Sequence, residues 1–211
     1  EQHHHDACPT EQVNGLVGVA VEEFDREQIQ HHLEGALQAV LGLAKAARVV
    51  VDADILDALP VALQREGAAE ALKAGMIGDP MLVALFERDG VGADLAEVVR
   101  RAVAVKAAVV GRDPRERGER AHLNYGHTIG HAVEVAAGWS HGTSVAVGMI
   151  AAGRAAALLV GFGEERRQRE VIGGLGLPVA APGLSAGVVR SLVWQDKKRT
   201  TTGLRMVLLE A

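Results

Sequence analysis

From Pro60 to about residue 174 the sequence is a succession of Ala-, Leu- and Val-rich stretches of helix length, cut by short polar turns. This pattern constrains the fold more than any other feature. Apolar residues recur at helical spacing, and Ala and Leu are strong helix formers. The turns are Gly78-Asp79-Pro80, Asp89-Gly90 and Gly111-Arg112-Asp113-Pro114, all rich in helix-breaking residues. Helices are expected near 61–76, 80–88, 93–110, 119–137, 143–161 and 164–174, with Pro60 where the first can begin. A loop near 173–183 precedes a further helix at 185–195. Only 3% of residues are aromatic against 48% hydrophobic, so the core must be built from Ala, Val, Leu and Ile. The fold class expected is mostly α.

Two short segments read as strands. Residues 48–52, Arg-Val-Val-Val-Asp, form a β-branched run. Leu204 to Leu209 suits a terminal strand or extended segment. Upstream, residues 1–18 read as a loose terminus, and residues 19–47 as one or two amphipathic helices with Ile29, Leu33, Leu37, Val40 and Leu41 near helical spacing. His3, His4 and His5 read as part of a tag or a loose end. The expected organisation is an unrecognised segment, 1–47, followed by a domain at 48–211.

A net charge of −5 gives no reason to expect a nucleic-acid partner, although a local basic pocket remains compatible with it. With Cys8 the only cysteine, no intrachain disulfide can form, which suits a reducing compartment. No unbroken apolar run approaches the ~20 residues that span a bilayer. The N-terminus shows no basic region followed by an apolar one. The expectation is a cytoplasmic protein without a membrane partner. No Gly-x-Gly-x-x-Gly follows a strand, and no P-loop is present, so no nucleotide-binding module is legible.

The chemistry concentrates between Arg120 and Met149. His127 and His131 are four residues apart, so on a helix they share a face, and Glu134 lies on it too. His141 follows in His-Gly-Thr-Ser, just before the next helix. Two imidazoles and a carboxylate from neighbouring helices suit a divalent metal with an open coordination position. His127-Thr-Ile-Gly-His131 lacks the glutamate a zincin-type protease places after its first histidine. Histidines satisfied at a helix interface would show the same spacing. Gly126 and Gly130 each directly precede a histidine, and glycine in a helix costs roughly 1 kcal/mol relative to Ala. They point to close approach of another backbone, a metal or a ligand, with tight helix packing as the structural alternative.

Asn124-Tyr-Gly-His-Thr-Ile-Gly-His-Ala-Val-Glu134 and Trp139-Ser-His-Gly-Thr-Ser-Val-Ala-Val-Gly-Met149 resemble the signature of 3-dehydroquinate synthases. Three further blocks match in order: Gly67-Ala-Ala-Glu-Ala-Leu-Lys-Ala-Gly75, Val105-Lys-Ala-Ala-Val-Val-Gly-Arg-Asp-Pro-Arg-Glu116, and Asp196-Lys-Lys198 with the Leu204–Leu209 tail. The resemblance runs from about residue 48 to 211 and fails upstream, where the family carries a glycine-rich NAD-binding domain. It implies the family's helical C-terminal domain, with the nucleotide-binding half largely absent from this sequence.

The resemblance assigns a divalent metal, Zn²⁺ or Co²⁺, to Glu70, His127 and His141. It places His131 beside the substrate as an acid/base group, where the spacing alone would have made it a ligand. Lys73, Lys106, Arg120, Lys197 and Lys198 are implied as donors to a seven-carbon sugar acid phosphate. Lys106 sits in an apolar run, so its ammonium needs a partner or a path to solvent. Asn124 is implied to contact a substrate hydroxyl, and Glu116 to accept a proton. Glu70 and Lys73, three apart, can share a helix face. The implied reaction is a lyase-type cyclisation to 3-dehydroquinate with loss of phosphate, using NAD within one turnover, on the shikimate route to aromatic amino acids. NAD binding by this chain itself is doubtful on the sequence, and a homodimer is possible. Related inosose- or valiolone-forming cyclases are the nearest alternatives, with Asn124 favouring the dehydroquinate branch. A non-catalytic metal- or anion-binding fragment is the alternative of a different class.

Overall fold

The computed structural model describes residues 50–115, 117–197 and 205–210, with Asp196 and Lys197 as backbone only. The expectations for residues 1–47, the boundary at 47, and Glu116 and Lys198 fall outside these residues. The chain divides into two units, Glu1–Leu56 and Asp57–Ala211.

After a short helix, α1 (Ala53–Asp57), come α2 (Val61–Gly78), α3 (Pro80–Asp89), α4 (Leu95–Arg112), α5 (His127–Ala137), α6 (His141–Leu159), α7 (Glu165–Gly174) and α8 (Ala186–Lys197). Two 3₁₀ turns, Gly90–Gly92 and Glu119–Asn124, lie between them. The turn residues act as the sequence requires. Asp79 caps α3 by accepting from the Met81 and Leu82 amides, with Pro80 in the first turn. Asp94 caps α4 through the Glu97 amide. Gly138 ends α5 at φ 64°, a left-handed conformation that favours glycine.

Two expectations need correction. Residues 119–137 are not one helix. A 3₁₀ turn ends at Asn124, the backbone turns at Gly126 with φ 79°, and α5 begins at His127. The strands are also absent from the described residues. Val50 and Asp52 are isolated bridge positions, and 205–210 has no regular structure. The tail packs by its side chains instead, with Val207 and Leu209 against the helical core.

The second unit is organised around α6, which packs on α2, α5 and α7. Eleven of its residues are buried. It has the length and apolarity of a membrane span, reached by interleaving Gly, Ser and Thr among aliphatics, but 61% of its apolar window is covered by the protein's own helices. The core around it is aliphatic as expected, joined by the fully buried Leu72, Leu82, Val145, Met149 and Ile172. Tyr125 is the one large aromatic side chain among the fully buried residues. Its hydroxyl donates to Gln168 Oε1 at 2.7 Å, and Gln168 Nε2 donates to the Met149 carbonyl at 2.6 Å. No polar atom of this buried chain is left open.

Glycines bring α5 and α6 into backbone contact. A Cβ on Gly148 would fall 2.0 Å from the Gly126 carbonyl oxygen, and one on Gly130 3.1 Å from the Val145 Cα. At the other end of α6, a Cβ on Gly142 would lie 2.5 Å from the Glu66 carbonyl oxygen of α2. Replacing Gly148 by Ala is expected to lower unfolding free energy by about 3 kcal/mol or more, because backbone rather than a side-chain tip must give way. Gly111 in α4 faces open space, so Gly111→Ala should instead stabilise by ~0.5–1 kcal/mol. Denaturant titration of the two variants checks both signs.

Candidate metal centre

Glu70 lies in the middle of α2, whereas His127 and His141 are the first residues of α5 and α6. The close packing of these helices draws the three side chains together. Glu70 Oε1 is 3.6 Å from His127 Nε2 and 3.6 Å from His141 Nε2. The other carboxylate oxygen, Oε2, accepts from Lys73 Nζ at 2.7 Å. Lys73 is buried, and this ion pair satisfies its charge.

The far side of each imidazole is also held. His127 Nδ1 is 3.2 Å from the Tyr125 carbonyl oxygen, and His141 Nδ1 is 3.1 Å from Glu134 Oε2. Both partners accept, so each Nδ1 donates a proton to its partner, and Nε2 is the nitrogen of each ring that faces Glu70. Burial, aided by the Lys73 charge, holds His127 below the ordinary histidine value, which keeps it neutral at pH 7. Its position at a helix start works the same way. For Glu70, burial alone would raise the carboxyl. The charge and hydrogen bond of Lys73, with His127 and His141, outweigh burial and leave it ionised.

The donor set fits a divalent ion. Glu70 Oε1 is buried without any hydrogen-bond partner, an unmet need that a cation removes. A tetrahedral ion with ligands at ~2.0–2.2 Å sets neighbouring donors ~3.3–3.6 Å apart, in line with the 3.6 Å separations from Glu70 Oε1 to both imidazoles. One oxygen with two imidazole nitrogens suits Zn²⁺ or Co²⁺. His131, Glu134 and His141 form a second convergent group. There, however, Glu134 is already engaged by His141 Nδ1. His131 is exposed at the rim, its ring 5.2 Å from that of His127 and 5.8 Å from that of His141.

The remaining sequence-assigned residues are more dispersed. Lys106 is exposed on α4, which resolves the question of its ammonium: it reaches solvent. Arg120 donates through Nη1 to the Pro114 carbonyl at 3.3 Å. Asn124 is exposed at the end of its 3₁₀ turn, and Lys197 closes α8. Among the described side chains, no hydrogen bond joins Lys106, Arg120 or Asn124 to the Glu70 cluster. Nor do the described residues contain a strand, and hence no strand–turn–helix cradle for a dinucleotide pyrophosphate.

The sequence reading missed two residues around the site, Glu66 and Asp113. Glu66, on α2, reaches the start of α6. Gly142 and Thr143 donate their amides to its Oε2 at 2.7 and 3.3 Å, and the Thr143 and Ser140 hydroxyls donate to Oε1. Burial raises this carboxyl, but these hydrogen bonds bring it below its usual value. Asp113 accepts the backbone amides of Arg117, Gly118 and Arg120 at 2.8, 2.8 and 3.0 Å, and so shapes the loop that carries Arg120. An aspartate four residues before an Arg-Gly pair hinted at such a turn, whereas nothing local in sequence pairs Glu66 with Ser140.

A family model described as 3-dehydroquinate synthase C-terminal matches residues 67–199. The chain belongs to the 3-dehydroquinate synthase family. It is similar to the 3-dehydroquinate synthase of Synechococcus sp. (strain CC9605), at 41% identity over 176 residues, covering 76% of this chain and 47% of that protein. The corresponding protein of Thermobifida fusca (strain YX) is 40% identical over 179 residues, covering 78% and 47%. The chain thus spans about half the length of the curated relatives it matches. Among solved structures it resembles the 2-epi-5-epi-valiolone synthase of Streptomyces hygroscopicus subsp. jinggangensis 5008, which holds NAD⁺ and Zn²⁺. There the TM-score is 0.66 and the identity 28%, covering 74% of this chain and 47% of that one. A 2-deoxy-scyllo-inosose synthase complexed with carbaglucose-6-phosphate, NAD⁺ and Co²⁺ shares the fold, with a TM-score of 0.60 at 24% identity over 75% of this chain and 47% of that one.

Asp113 gives a pH test. Hydrogen bonds from the Arg117 and Arg120 amides, outweighing burial and joined by Gly118, lower its carboxyl. A lowered folded value stabilises fully above the unfolded value of ~3.9 and is lost as pH falls through the folded one. The wild-type melting temperature should therefore drop more steeply than that of Asp113→Asn between about pH 5 and pH 3. At pH 7 the variant should melt lower, and hydrogen exchange at the Arg117, Gly118 and Arg120 amides should be faster.

Proposed function

We propose that this chain supplies the metal- and substrate-holding part of a 3-dehydroquinate synthase, a lyase that closes a carbocycle from a seven-carbon sugar acid phosphate with loss of phosphate. The observation that carries the proposal is the buried, unpartnered Glu70 Oε1 facing two imidazole nitrogens whose opposite sides are already held. Glu70, His127 and His141 would hold the divalent ion, which when bound supplies Lewis acidity towards a substrate oxygen.

The chain's own residues do the rest. Lys73 neutralises the second oxygen of Glu70 and keeps a positive charge at the floor of the site. Exposed His131 stands at the rim, within reach of an incoming hydroxyl, in the role of acid/base group. Lys106, Arg120, Lys197 and Lys198 are assigned to the phosphate and carboxylate of the substrate, with Arg120 as the planar fork. Asn124 is assigned to a substrate hydroxyl and Glu116 to proton acceptance. Relatives near 40% identity are named 3-dehydroquinate synthases, and Asn124 favours that substrate over the inosose type. Soluble metabolites as substrates fit a cytoplasmic setting.

Calorimetric titration of the chelator-treated chain with Zn²⁺ or Co²⁺ should give one ion per chain. Glu70→Gln, His127→Ala and His141→Ala should each weaken binding by more than the roughly 10–100-fold that loss of an outer partner costs. NAD titrated alone should give little or no heat. The sugar acid phosphate should bind the metal-loaded chain, and Lys73→Ala should weaken it. If the wild type takes up no ion, the metal assignment is wrong. If ion and sugar phosphate bind and no phosphate is released with NAD present, the chain is a binding fragment rather than a catalyst by itself.

A further inference from the structure

We infer that Glu66 is the positioning residue for His141. The inference rests on the metal reading above. Glu66 and Glu70 are four residues apart on α2, one turn on the same face. One carboxylate faces the imidazole of His141, and the other holds the Ser140 hydroxyl before it and the Gly142 and Thr143 amides after it. Ser140, the residue before α6, makes no side-chain cap to its own helix. The cap comes from Glu66 instead, through the amides of Gly142 and Thr143 at 2.7 and 3.3 Å and the hydroxyl of Thr143 at 2.6 Å, with the Ser140 hydroxyl completing the set. Hydrogen bonds from backbone N–H groups to an ionised carboxylate are stronger than neutral ones, and a negative charge suits a helix start.

The contact leaves little freedom. A Cβ on Gly142 would meet Glu66 backbone atoms at 2.5 and 2.8 Å, so α6 begins directly on the α2 backbone. His141 lies between the two clamped residues, Ser140 and Gly142. Its Cα is therefore set relative to α2, and with it the 3.6 Å approach of His141 Nε2 to Glu70 Oε1. Glu134 turns the ring, and Glu66 fixes where the ring is anchored. Glu66 hydrogen-bonds none of the candidate ligand atoms, so its route to the site runs through the start of α6 and His141.

The test compares Zn²⁺ affinity, by competition with a chromophoric chelator, and the visible absorption of the Co²⁺ form. The proteins are the wild type, Glu66→Gln, Glu66→Ala and Val98→Ala, the last being a buried α4 residue outside the donor set. Melting temperatures of the metal-free proteins are measured alongside. Glu66→Ala should lower Zn²⁺ affinity ~10–100-fold and alter the Co²⁺ band. Glu66→Gln, which keeps an acceptor for the Gly142 amide, should fall between it and the wild type. Val98→Ala should melt lower without changing affinity or band shape. If Glu66→Ala proves too unstable to purify, Glu66→Gln carries the comparison. Wild-type affinity and spectrum in the Glu66 variants, or losses matched by Val98→Ala, would overturn the inference while leaving the metal reading intact. A wild type that binds no ion would overturn both.

Discussion

Backbone contact between α5 and α6 is the constraint on which the site depends. Gly126, Gly130 and Gly148 remove the side chains that would otherwise hold the helices apart. Ordinary helix pairs sit 8–10 Å apart, separated by interdigitated side chains. Here the Gly126 carbonyl lies where a Gly148 Cβ would be. Each helix then contributes its first residue, His127 or His141, to one small volume. An aromatic-poor core suits this arrangement, since small residues let helices approach and long α6 pass through the centre of the unit.

Around this contact, every ligand candidate is steadied by a neighbour. Lys73 holds one oxygen of Glu70, the Tyr125 carbonyl holds His127, and Glu134 holds His141. The Tyr125 carbonyl is itself placed by a buried ring, whose hydroxyl is tied through Gln168 to Met149 of α6. The candidate metal centre is thus continuous with the core. Among the described residues, three buried polar side-chain atoms lack a hydrogen-bond partner, Arg65 Nε, Ser144 Oγ and Glu70 Oε1, and the last of these faces the two imidazoles.

Much of this was legible from the residues. Helical periodicity and the Gly-Asp-Pro and Asp-Gly turns placed α2, α3, α4 and α7 to within a few residues. The Glu70–Lys73 spacing placed both on one helix face, and glycines ahead of His127 and His131 anticipated close backbone approach. The break at Gly126 escaped notice because a left-handed turn is a backbone conformation that a helical apolar pattern does not register. The start of α6 at His141 rather than 143 was hidden for a related reason. Its cap is a glutamate 74–77 residues away in sequence, and no local signature reports it. Among the described residues the expected strands amount to isolated bridges at Val50 and Asp52 and to an irregular 205–210, because β-branched composition describes a tendency and a ladder depends on pairing that local sequence does not report.

The Lys73–Glu70 ion pair has a consequence for which ions can enter. With Oε2 engaged by an ammonium, Glu70 offers an incoming cation a single oxygen. Ca²⁺ gathers six to eight oxygens and often takes both from one carboxylate, while Mg²⁺ demands an octahedral oxygen shell. Neither is served by one oxygen and two nitrogens. A metal held as proposed would therefore be drawn from the transition series rather than from the alkaline-earth ions. In the proposed centre, discrimination among cations would rest on a lysine that coordinates none of them.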